Sequence, residues 1–278
     1  MQKDIIWKKQ TGERKAIDMY RIGRTTGYRL EITDESFAAL RQAGMTVIEH
    51  SLAQKTYYEP KEVGELTARH GIKLWSCHLP FRQEDASSLD RDMRAQAFSR
   101  YCEEVKKGAA CGVDKFVMHP GTPFADESER PERLKRVMDF ANELAEVAHR
   151  EGAVIAVEDM PHCIGQSIDE LEAIVSTNPK LRVCFDVNHL LHNTHDDFIH
   201  RLGDKIVTVH FSDYDFVDER HLFPTEGKIP WVQLIKKLYG SGYTGPWIYE
   251  CGWWGKGPQT FYDTAAGILK EAGVPEVL

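Results

Sequence analysis

Carboxylate and imidazole side chains recur along this chain of 278 residues, each at or near the end of a short apolar run. These residues are Glu49, His50, His78, His119, Glu158, Asp159, Asp186, His189, His210, Asp213 and Glu250. Separations between successive runs, 24 residues from Asp186 to His210 and 41 from His78 to His119, are too long for a local motif. A mixed set of oxygen and nitrogen donors suits Mn²⁺, Co²⁺, Mg²⁺ or Zn²⁺. One divalent ion would also relieve the repulsion that raises the pKa values of clustered carboxylates.

The apolar runs themselves predict eight strands. They are Tyr28–Ile32, Thr46–His50, Lys73–His78, Lys115–His119, Val154–Asp159, Arg182–Asp186, Ile206–Phe211 and Pro246–Glu250. Most lack polar alternation, which is typical of parallel strands buried on both faces. Stretches with helical spacing lie between them. The predicted helices run from Thr33 or Asp34 to Gln42 and over Asp90–Ala110, Pro131–Arg150, Ile168–Ser176, Asp196–Leu202, Trp231–Tyr239 and Gln259–Ala272.

This alternation of strands and helices predicts an α/β fold, a single (β/α)₈ barrel domain over residues 1–278 with an N-terminal extension at 1–27. A doubly wound dinucleotide fold would show a glycine-rich fingerprint after its first strand, and the chain has none. In a barrel all strands open onto one face, so distant strand ends converge there. A lone strand-end acid or histidine also serves as a helix cap or a structural hydrogen-bonding residue. The recurrence at seven of the eight predicted strands favours a metal site.

Composition narrows the class of protein. The net charge of −8 and the pI near 5.9 make nucleic acid an unfavoured partner. The six cysteines form no C-x-x-C pair, which is typical of reduced thiols in the cytoplasm. Neither a signal peptide nor an apolar run long enough for a membrane span is visible. The sequence therefore predicts a cytoplasmic protein, without a membrane partner, and leaves a homo-oligomer open.

Several of these residues form motifs. The chain has D-x-x-H at Asp186 and His189, H-x-x-D at His210 and Asp213, and E-G at Glu226–Gly227. With the acidic strand ends at Glu158 and Glu250, the region from about Thr46 to Gly255 resembles the xylose isomerase-like barrels. That group includes sugar-phosphate isomerases and epimerases, tagatose-type 3-epimerases and the AP endonucleases related to endonuclease IV.

The resemblance implies roles for individual residues. In the epimerase branch the metal ligands correspond to Glu158, Asp186, His210 and Glu250, and the two glutamates exchange the substrate proton. The residues that this reading places around the substrate are His189, His78, His119, Arg220, His221, Glu49 and Trp253. In the AP endonuclease branch, His78, His119 and His221 would bind further zinc ions. That branch has D-R-H where this chain has Glu219-Arg220-His221, and the arginine that follows the strand-seven histidine in epimerases is absent here before Arg220.

The leading hypothesis is a metal-dependent isomerase or epimerase of a small sugar, sugar phosphate or polyol. One glutamate would remove the proton beside a carbonyl that the ion polarises, and the other would return it through an enediolate. Two alternatives remain. One is a multi-zinc phosphodiesterase of the AP endonuclease type, and the other is a non-catalytic carbohydrate-binding barrel.

Overall fold

The computed structural model describes residues 20–276, and its centre is a ring of eight parallel strands. The strands are β1 (Ile22–Thr25), β2 (Val47–Ser51), β3 (Lys73–His78), β4 (Lys115–Met118), β5 (Val154–Glu158), β6 (Arg182–Asp186), β7 (Ile206–His210) and β8 (Trp247–Tyr249). Each strand from β1 to β6 pairs with the next in the chain, and β8 pairs with β1. Between β7 and β8 the ring closes through a parallel bridge of Phe211 and Tyr249. The predicted (β/α)₈ barrel is therefore confirmed.

Helices surround the ring, one after each strand. They are α1 (Asp34–Ala43), α2 (Pro60–Arg69), α3 (Arg91–Ala109), α4 (Arg130–Arg150), α5 (Ile168–Val175), α6 (His195–Leu202), α7 (Trp231–Gly240) and α8 (Gly257–Glu271). Local sequence sets their ends. The hydroxyl of Thr33 accepts a hydrogen bond from the Ser36 amide at the start of α1, and Gly44, with φ of 106°, ends it. No helix in the described part of the chain is long and apolar enough to cross a membrane.

The first strand corrects the sequence prediction. Tyr28–Ile32 alternates like a strand but lies in the connection between β1 and α1. The actual β1 is four residues long and contains Gly23 and the buried Arg24, so it does not read as an apolar run. Consequently the predicted N-terminal extension at 1–27 includes a strand of the barrel, while its residues 1–19 lie outside the described residues.

Helix α2 is a second difference from the sequence prediction, which has no helix between β2 and β3. It begins with a capping box in which Glu59 and Glu62 exchange side-chain-to-backbone hydrogen bonds. Its apolar face is narrow, with Val63 and Leu66 buried, and Gly64 interrupts its middle. Glycine lowers helix propensity, so periodicity alone gives a weak signal here.

Alternation along each strand separates two environments. On β5, Ile155 and Val157 belong to the large core between the strands and the helices. Ala156 packs instead with Cys184 of β6 in a small cluster on the opposite face, inside the barrel. Glu158, two residues after Ala156, points the same way. The last inward position of the strand thus carries the acidic group, at the end of the barrel where barrel active sites lie.

Gly23 leaves no room for a side chain, because a Cβ atom there would lie 2.2 Å from the carbonyl oxygen of its β2 partner Val47. We expect Gly23→Ala to lower the free energy of unfolding by about 1–3 kcal/mol, since the clashing atom is backbone. Gly267→Ala is the control, because nothing lies within 4 Å of that Cβ position in α8. It should stabilise the protein by about 0.5–1 kcal/mol. Urea unfolding of both variants checks the pair, and a neutral Gly23→Ala would contradict the strand packing.

Candidate metal centre and active-site cavity

Three of the four predicted metal ligands converge around an imidazole nitrogen of the fourth, His210. Nδ1 of His210 lies 2.9 Å from Oε1 of Glu158, 2.8 Å from Oε2 of Glu250 and 4.0 Å from Oδ2 of Asp186. One ligand atom from each of the four residues lies within 4.8 Å of the others. Glu158, Asp186 and His210 end β5, β6 and β7, and Glu250 follows β8 directly. The barrel therefore assembles residues that are up to 92 positions apart in the chain.

Glu49 occupies the other side of the same imidazole. Its Oε1 lies 2.9 Å from Nε2 of His210, although the two atoms are not aligned as in a regular hydrogen bond. Its Oε2 accepts a hydrogen bond of 2.7 Å from the hydroxyl of Ser76. The side chain is fully buried and does not line the cavity described below. This position corrects the expectation that Glu49 contacts substrate, because the residue supports His210 from behind.

His78 and His119 meet the second oxygen of Glu158. Both Nε2 atoms lie 3.1 Å from Glu158 Oε2 and 3.1 Å from each other. Nδ1 of His78 donates to the carbonyl oxygen of Leu79 at 2.8 Å, which directs Nε2 towards the carboxylate. His78 also forms a second compact ligand group with Glu158 and His210. His78 is buried beneath the cavity wall and His119 forms part of that wall.

A third group contains Glu219, which the sequence analysis noted only as the first residue of E-R-H. Its Oε1 lies 3.7 Å from His189 Nε2 and in close contact with His221 Nε2. Backbone carbonyl oxygens accept from the Nδ1 atoms of both histidines at 2.8 Å, from Asp159 and Glu250. These contacts hold both Nε2 atoms towards Glu219. Its match to the aspartate of D-R-H was the one signal in the sequence for this role.

Asp213, another candidate ligand near a strand end, has a structural role instead. Its carboxylate accepts hydrogen bonds from the backbone amides of Tyr214, Thr225 and Ile229 and from the indole N–H of Trp231, at 2.8–3.1 Å. A Cβ atom at residue 227 would lie 2.3 Å from this carboxylate, so the glycine of the E-G motif is required for the close approach. The two motifs together fold the loop that carries Glu219 and His221.

A cavity of about 420 Å³ opens above these groups. The predicted residues that line it are Glu158, Glu250, His119, His189 and His221. Glu219, Tyr28 and Phe81 also line it, with the Phe81 ring stacked 4.2 Å from His119 and the Tyr28 ring 4.5 Å from His221. Its volume suits a small ligand. A larger groove between α2 and α3, about 1200 Å³, lies on the outside of the barrel and contains none of these groups.

Besides Glu49 and His78, two more predicted substrate contacts lie outside this cavity. The Arg220 guanidinium pairs with Asp215 at 3.1 Å and points to the surface. The Trp253 ring packs 4.1 Å from the guanidinium of the buried Arg24. Both corrections have the same origin, because neighbouring residues in a loop point in different directions and the sequence does not define which one faces inward.

Burial and crowding shift the proton equilibria of the metal-free site. Burial would raise the pKa of Glu158, but the imidazoles of His210 and His119 outweigh that effect and hold it well below the usual range. For Glu250 the same opposition, dominated by His210, gives a pKa of about 2. Burial raises the pKa of Asp186 to about 7 against the opposing effect of His189. Glu158 and Glu250 are thus ionised at neutral pH.

Unpartnered atoms test whether a cation fits. Asp186 Oδ1 accepts from the Asn188 amide at 2.7 Å, while its Oδ2 is buried without a hydrogen-bond partner among the described residues. Nε2 of His189 also lacks a regular hydrogen bond, at 3.6 Å from this Oδ2 and 3.7 Å from Oε1 of Glu219. Buried polar atoms rarely lack a partner unless an ion or water satisfies them. Carboxylate oxygens and imidazole nitrogens are suitable donors for Mn²⁺, Co²⁺, Mg²⁺ or Zn²⁺, so the residues fit a divalent ion.

Barrel and site together define a class of protein, a (β/α)₈ barrel with a carboxylate–imidazole cluster at the C-terminal ends of its strands. Residues 37–272 match the sequence family described as "Xylose isomerase-like TIM barrel", and the chain belongs to that family.

The individual relatives include an uncharacterized protein, a probable endonuclease and sugar epimerases. An uncharacterized protein of Methanocaldococcus jannaschii, MJ1311, is 26% identical over 204 residues, 68% of this chain and 69% of the relative. A probable endonuclease 4 of Citrifermentans bemidjiense is 29% identical over 141 residues, covering 44% of this chain and about half (49%) of that protein. Among solved structures, a D-tagatose 3-epimerase-like protein superposes with a TM-score of 0.78 at 22% identity, over 91% of this chain and 96% of the other. D-Psicose 3-epimerase of Clostridium cellulolyticum gives 0.71 at 17% identity, over 91% and 98%.

We expect Glu49→Gln to weaken divalent metal binding about ten- to a hundredfold, because the carboxylate behind a metal-ligating histidine orients the ring and raises its basicity. Glu35→Gln on the surface of α1 is the matched control and should bind metal like the wild type. Mn²⁺ titration followed by electron paramagnetic resonance measures both. Equal affinities in the two variants would show that Glu49 does not support the ligand.

Metal affinity should also depend on pH. A carboxylic acid must lose its proton to bind a cation, and Asp186 has a pKa of about 7 in the metal-free protein. The ionised fraction of Asp186 rises about tenfold from pH 6 to pH 8. His210 must also lose a proton, because burial lowers its pKa but the surrounding anionic groups outweigh burial and raise it well above the usual range. Affinity should therefore rise by at least about tenfold over this range, with proton release. Calorimetry in buffers of different ionisation enthalpy measures both quantities. Affinity that is constant over this range, with no proton released, would contradict the role of Asp186.

Proposed function

We propose that this protein is a metal-dependent isomerase or epimerase of a small sugar, sugar phosphate or related polyol. The observation that carries the proposal is the convergence of Glu158, Asp186, His210 and Glu250 beneath a cavity that is sized for one small ligand and is lined by the two glutamates. The fold shared with sugar epimerases supports it. When bound to these four residues, a divalent ion supplies Lewis-acid chemistry that acidifies the carbon beside a carbonyl.

The two glutamates are suited to proton transfer. Glu158 ends β5, and Glu250 follows β8, which is three strands further round the barrel. Both carboxylates reach the His210 imidazole. Both stay ionised at neutral pH, so each can accept a proton from a substrate carbon. One carboxylate takes the proton next to the carbonyl, and the electron pair of the broken C–H bond passes into an enediolate. The other carboxylate, after taking up a proton from solvent, delivers it to the opposite face or to the adjacent carbon, and the first carboxylate then releases its proton to solvent.

Substrate hydroxyls have defined partners above this floor. His189 and His221 present Nε2 atoms whose tautomers are set by backbone carbonyl oxygens. Phe81 and Tyr28 add apolar ring faces to the wall of the cavity. A polyol would thus meet both hydrogen-bonding groups and ring faces, which orient it over the glutamates.

A second candidate function is cleavage of phosphodiesters at abasic sites in DNA. The observation that favours it is the presence of three ligand groups, including His189, Glu219 and His221, beside the relatives named probable endonuclease 4. The charge of the cavity opposes it, because Arg82 is the only arginine or lysine among the lining residues and three carboxylates lie there. Phosphodiester backbones are bound chiefly by arginine and lysine. A non-catalytic carbohydrate-binding barrel would have the same cavity and would bind a sugar without converting it.

Turnover in D₂O should place deuterium on the carbon next to the substrate carbonyl, because a carboxylate exchanges its proton with solvent once the substrate leaves. Glu158→Gln and Glu250→Gln should each lower turnover at least about a hundredfold, since both lose the basic group. Proton NMR of a panel of ketoses, ketose phosphates and inososes measures the exchange. Glu226→Gln is the control, because that side chain pairs with Lys256 away from the floor.

An abasic-site duplex is incubated in parallel. Its cleavage, with no sugar converted and no deuterium incorporated, would replace the proposal with the nuclease. Sugar binding without exchange or conversion would leave only the binding protein. Isomerisation without deuterium incorporation would show that hydrogen moves between carbons directly and that the glutamates do not carry it.

A further inference from the structure

A second cavity adjoins the one above the metal ligands. It encloses about 700 Å³ and shares Gly27, Gln54 and Arg82 with the first. We call it the outer cavity. Its walls come from the loops that follow β1, β2 and β3, so it lies on the same face of the barrel. A ligand that enters the inner cavity therefore passes beside it or extends into it.

Three cationic side chains line the outer cavity, one from each loop: Arg29, Lys55 and Arg82. All three are exposed, and none forms an ion pair with a carboxylate in the described part of the chain. A single acid, Glu31, lines the same space. Most other arginines near this end of the barrel are already paired, as Arg133 is with Asp85. The outer cavity is thus a concentration of free positive charge in a protein with a net charge of −8.

Hydrogen bonds fix the first loop. The fully buried Arg24 donates from Nη2 to the carbonyl oxygen of Tyr28 at 2.5 Å. The next residue, Arg29, has a positive φ of 53°, a conformation that non-glycine residues seldom adopt. Gln54 of the second loop donates to the hydroxyl of Thr26. These contacts define the path of the backbone that presents Arg29.

The other two loops are fastened to each other. Nε of Arg82 donates to the carbonyl oxygen of Ala53 at 2.5 Å, two residues before Lys55. This bond uses one donor of the guanidinium and leaves its two amino groups for another partner. The three cations are consequently carried on connected loops rather than on independent ones, which lowers the entropic cost of binding one anion between them.

The two cavities have opposite charge. Glu158, Glu219 and Glu250 make the inner cavity acidic, apart from its imidazoles and Arg82 at the junction. A ligand that fills both would have a neutral polyol or carbonyl end inside and an anionic end outside. We propose that the outer cavity binds a phosphate group, and that the substrate class is therefore a phosphorylated sugar rather than a free one. The assignment rests on the proposed function only for the inner end of the ligand.

Two other basic residues, Arg220 and Lys228, lie in the loop between β7 and α7. Arg220 is paired with Asp215 and does not line either cavity. Lys228 lines neither cavity. The phosphate contacts come instead from the loops that follow β1, β2 and β3, where the sequence shows no basic motif.

Inorganic phosphate is the direct probe, and binding to the metal-free protein is measured by ³¹P NMR titration. Arg29→Gln/Lys55→Gln should weaken phosphate binding about tenfold or more, because each change removes a charged hydrogen-bond donor. Lys135→Gln/Lys236→Gln removes the same charge from exposed positions on α4 and α7 and should bind like the wild type. No phosphate binding, or equal weakening in both double variants, would overturn the proposal.

A second titration identifies the source of the phosphate. Asp186→Ala protein, which is not expected to turn substrate over, is titrated with D-fructose, D-fructose 6-phosphate and a short DNA duplex. We expect the sugar phosphate to bind at least about tenfold more tightly than the sugar, with the difference lost in Arg29→Gln/Lys55→Gln. Equal binding of the two sugars, or binding of the duplex alone, would overturn the proposal. Since this readout needs no catalysis, a phosphate site without isomerisation would refute only the proposed function.

Discussion

Electrostatic repulsion between buried carboxylates is the main constraint on this site, and the rest of the structure must accommodate it. Glu49, Glu158, Asp186 and Glu250 surround a single imidazole, that of His210, at the end of the barrel. Two like charges 4 Å apart repel by ~4 kcal/mol at an effective dielectric constant of 20. The neighbouring imidazoles offset enough of this repulsion to hold the pKa values of Glu158 and Glu250 below their usual range. The fold concentrates these acids at one point, and we propose that a divalent cation relieves their repulsion.

The surroundings serve the same centre. Parallel strands deliver an inward-facing residue at their final position, and the barrel makes those positions converge. Behind them, Ser76 fixes Glu49 and Glu49 supports His210. Above them, Asp213 and the adjacent glycine at 227 fold the loop that brings Glu219 and His221 over the floor. The outer cations complete a gradient from a negative floor to a positive rim, which suits a ligand with one anionic end.

Sequence patterns located the strands that carry the centre, because buried parallel strands are continuous apolar runs and their polar terminal residues stand out. They missed β1, since Gly23 and Arg24 interrupt the pattern, and α2, whose apolar face is narrow. The sequence patterns were least informative about the direction in which loop side chains point. Within E-R-H, Glu219 faces the centre while Arg220 faces solvent and pairs with Asp215. That outcome depends on the folded path of the loop, which local spacing does not encode.

Crystals of the protein loaded with Mn²⁺, recorded above and below the manganese absorption edge, test the central claim most directly. We expect one dominant anomalous peak bounded by Glu158, Asp186, Glu250 and Nδ1 of His210, with Nε2 of that ring still facing Glu49. The contradictory result is an absence of anomalous density at this point under saturating Mn²⁺, with His210 still hydrogen-bonded to Glu158. In that case the carboxylate cluster would be stabilised by protons alone and would not be a metal centre.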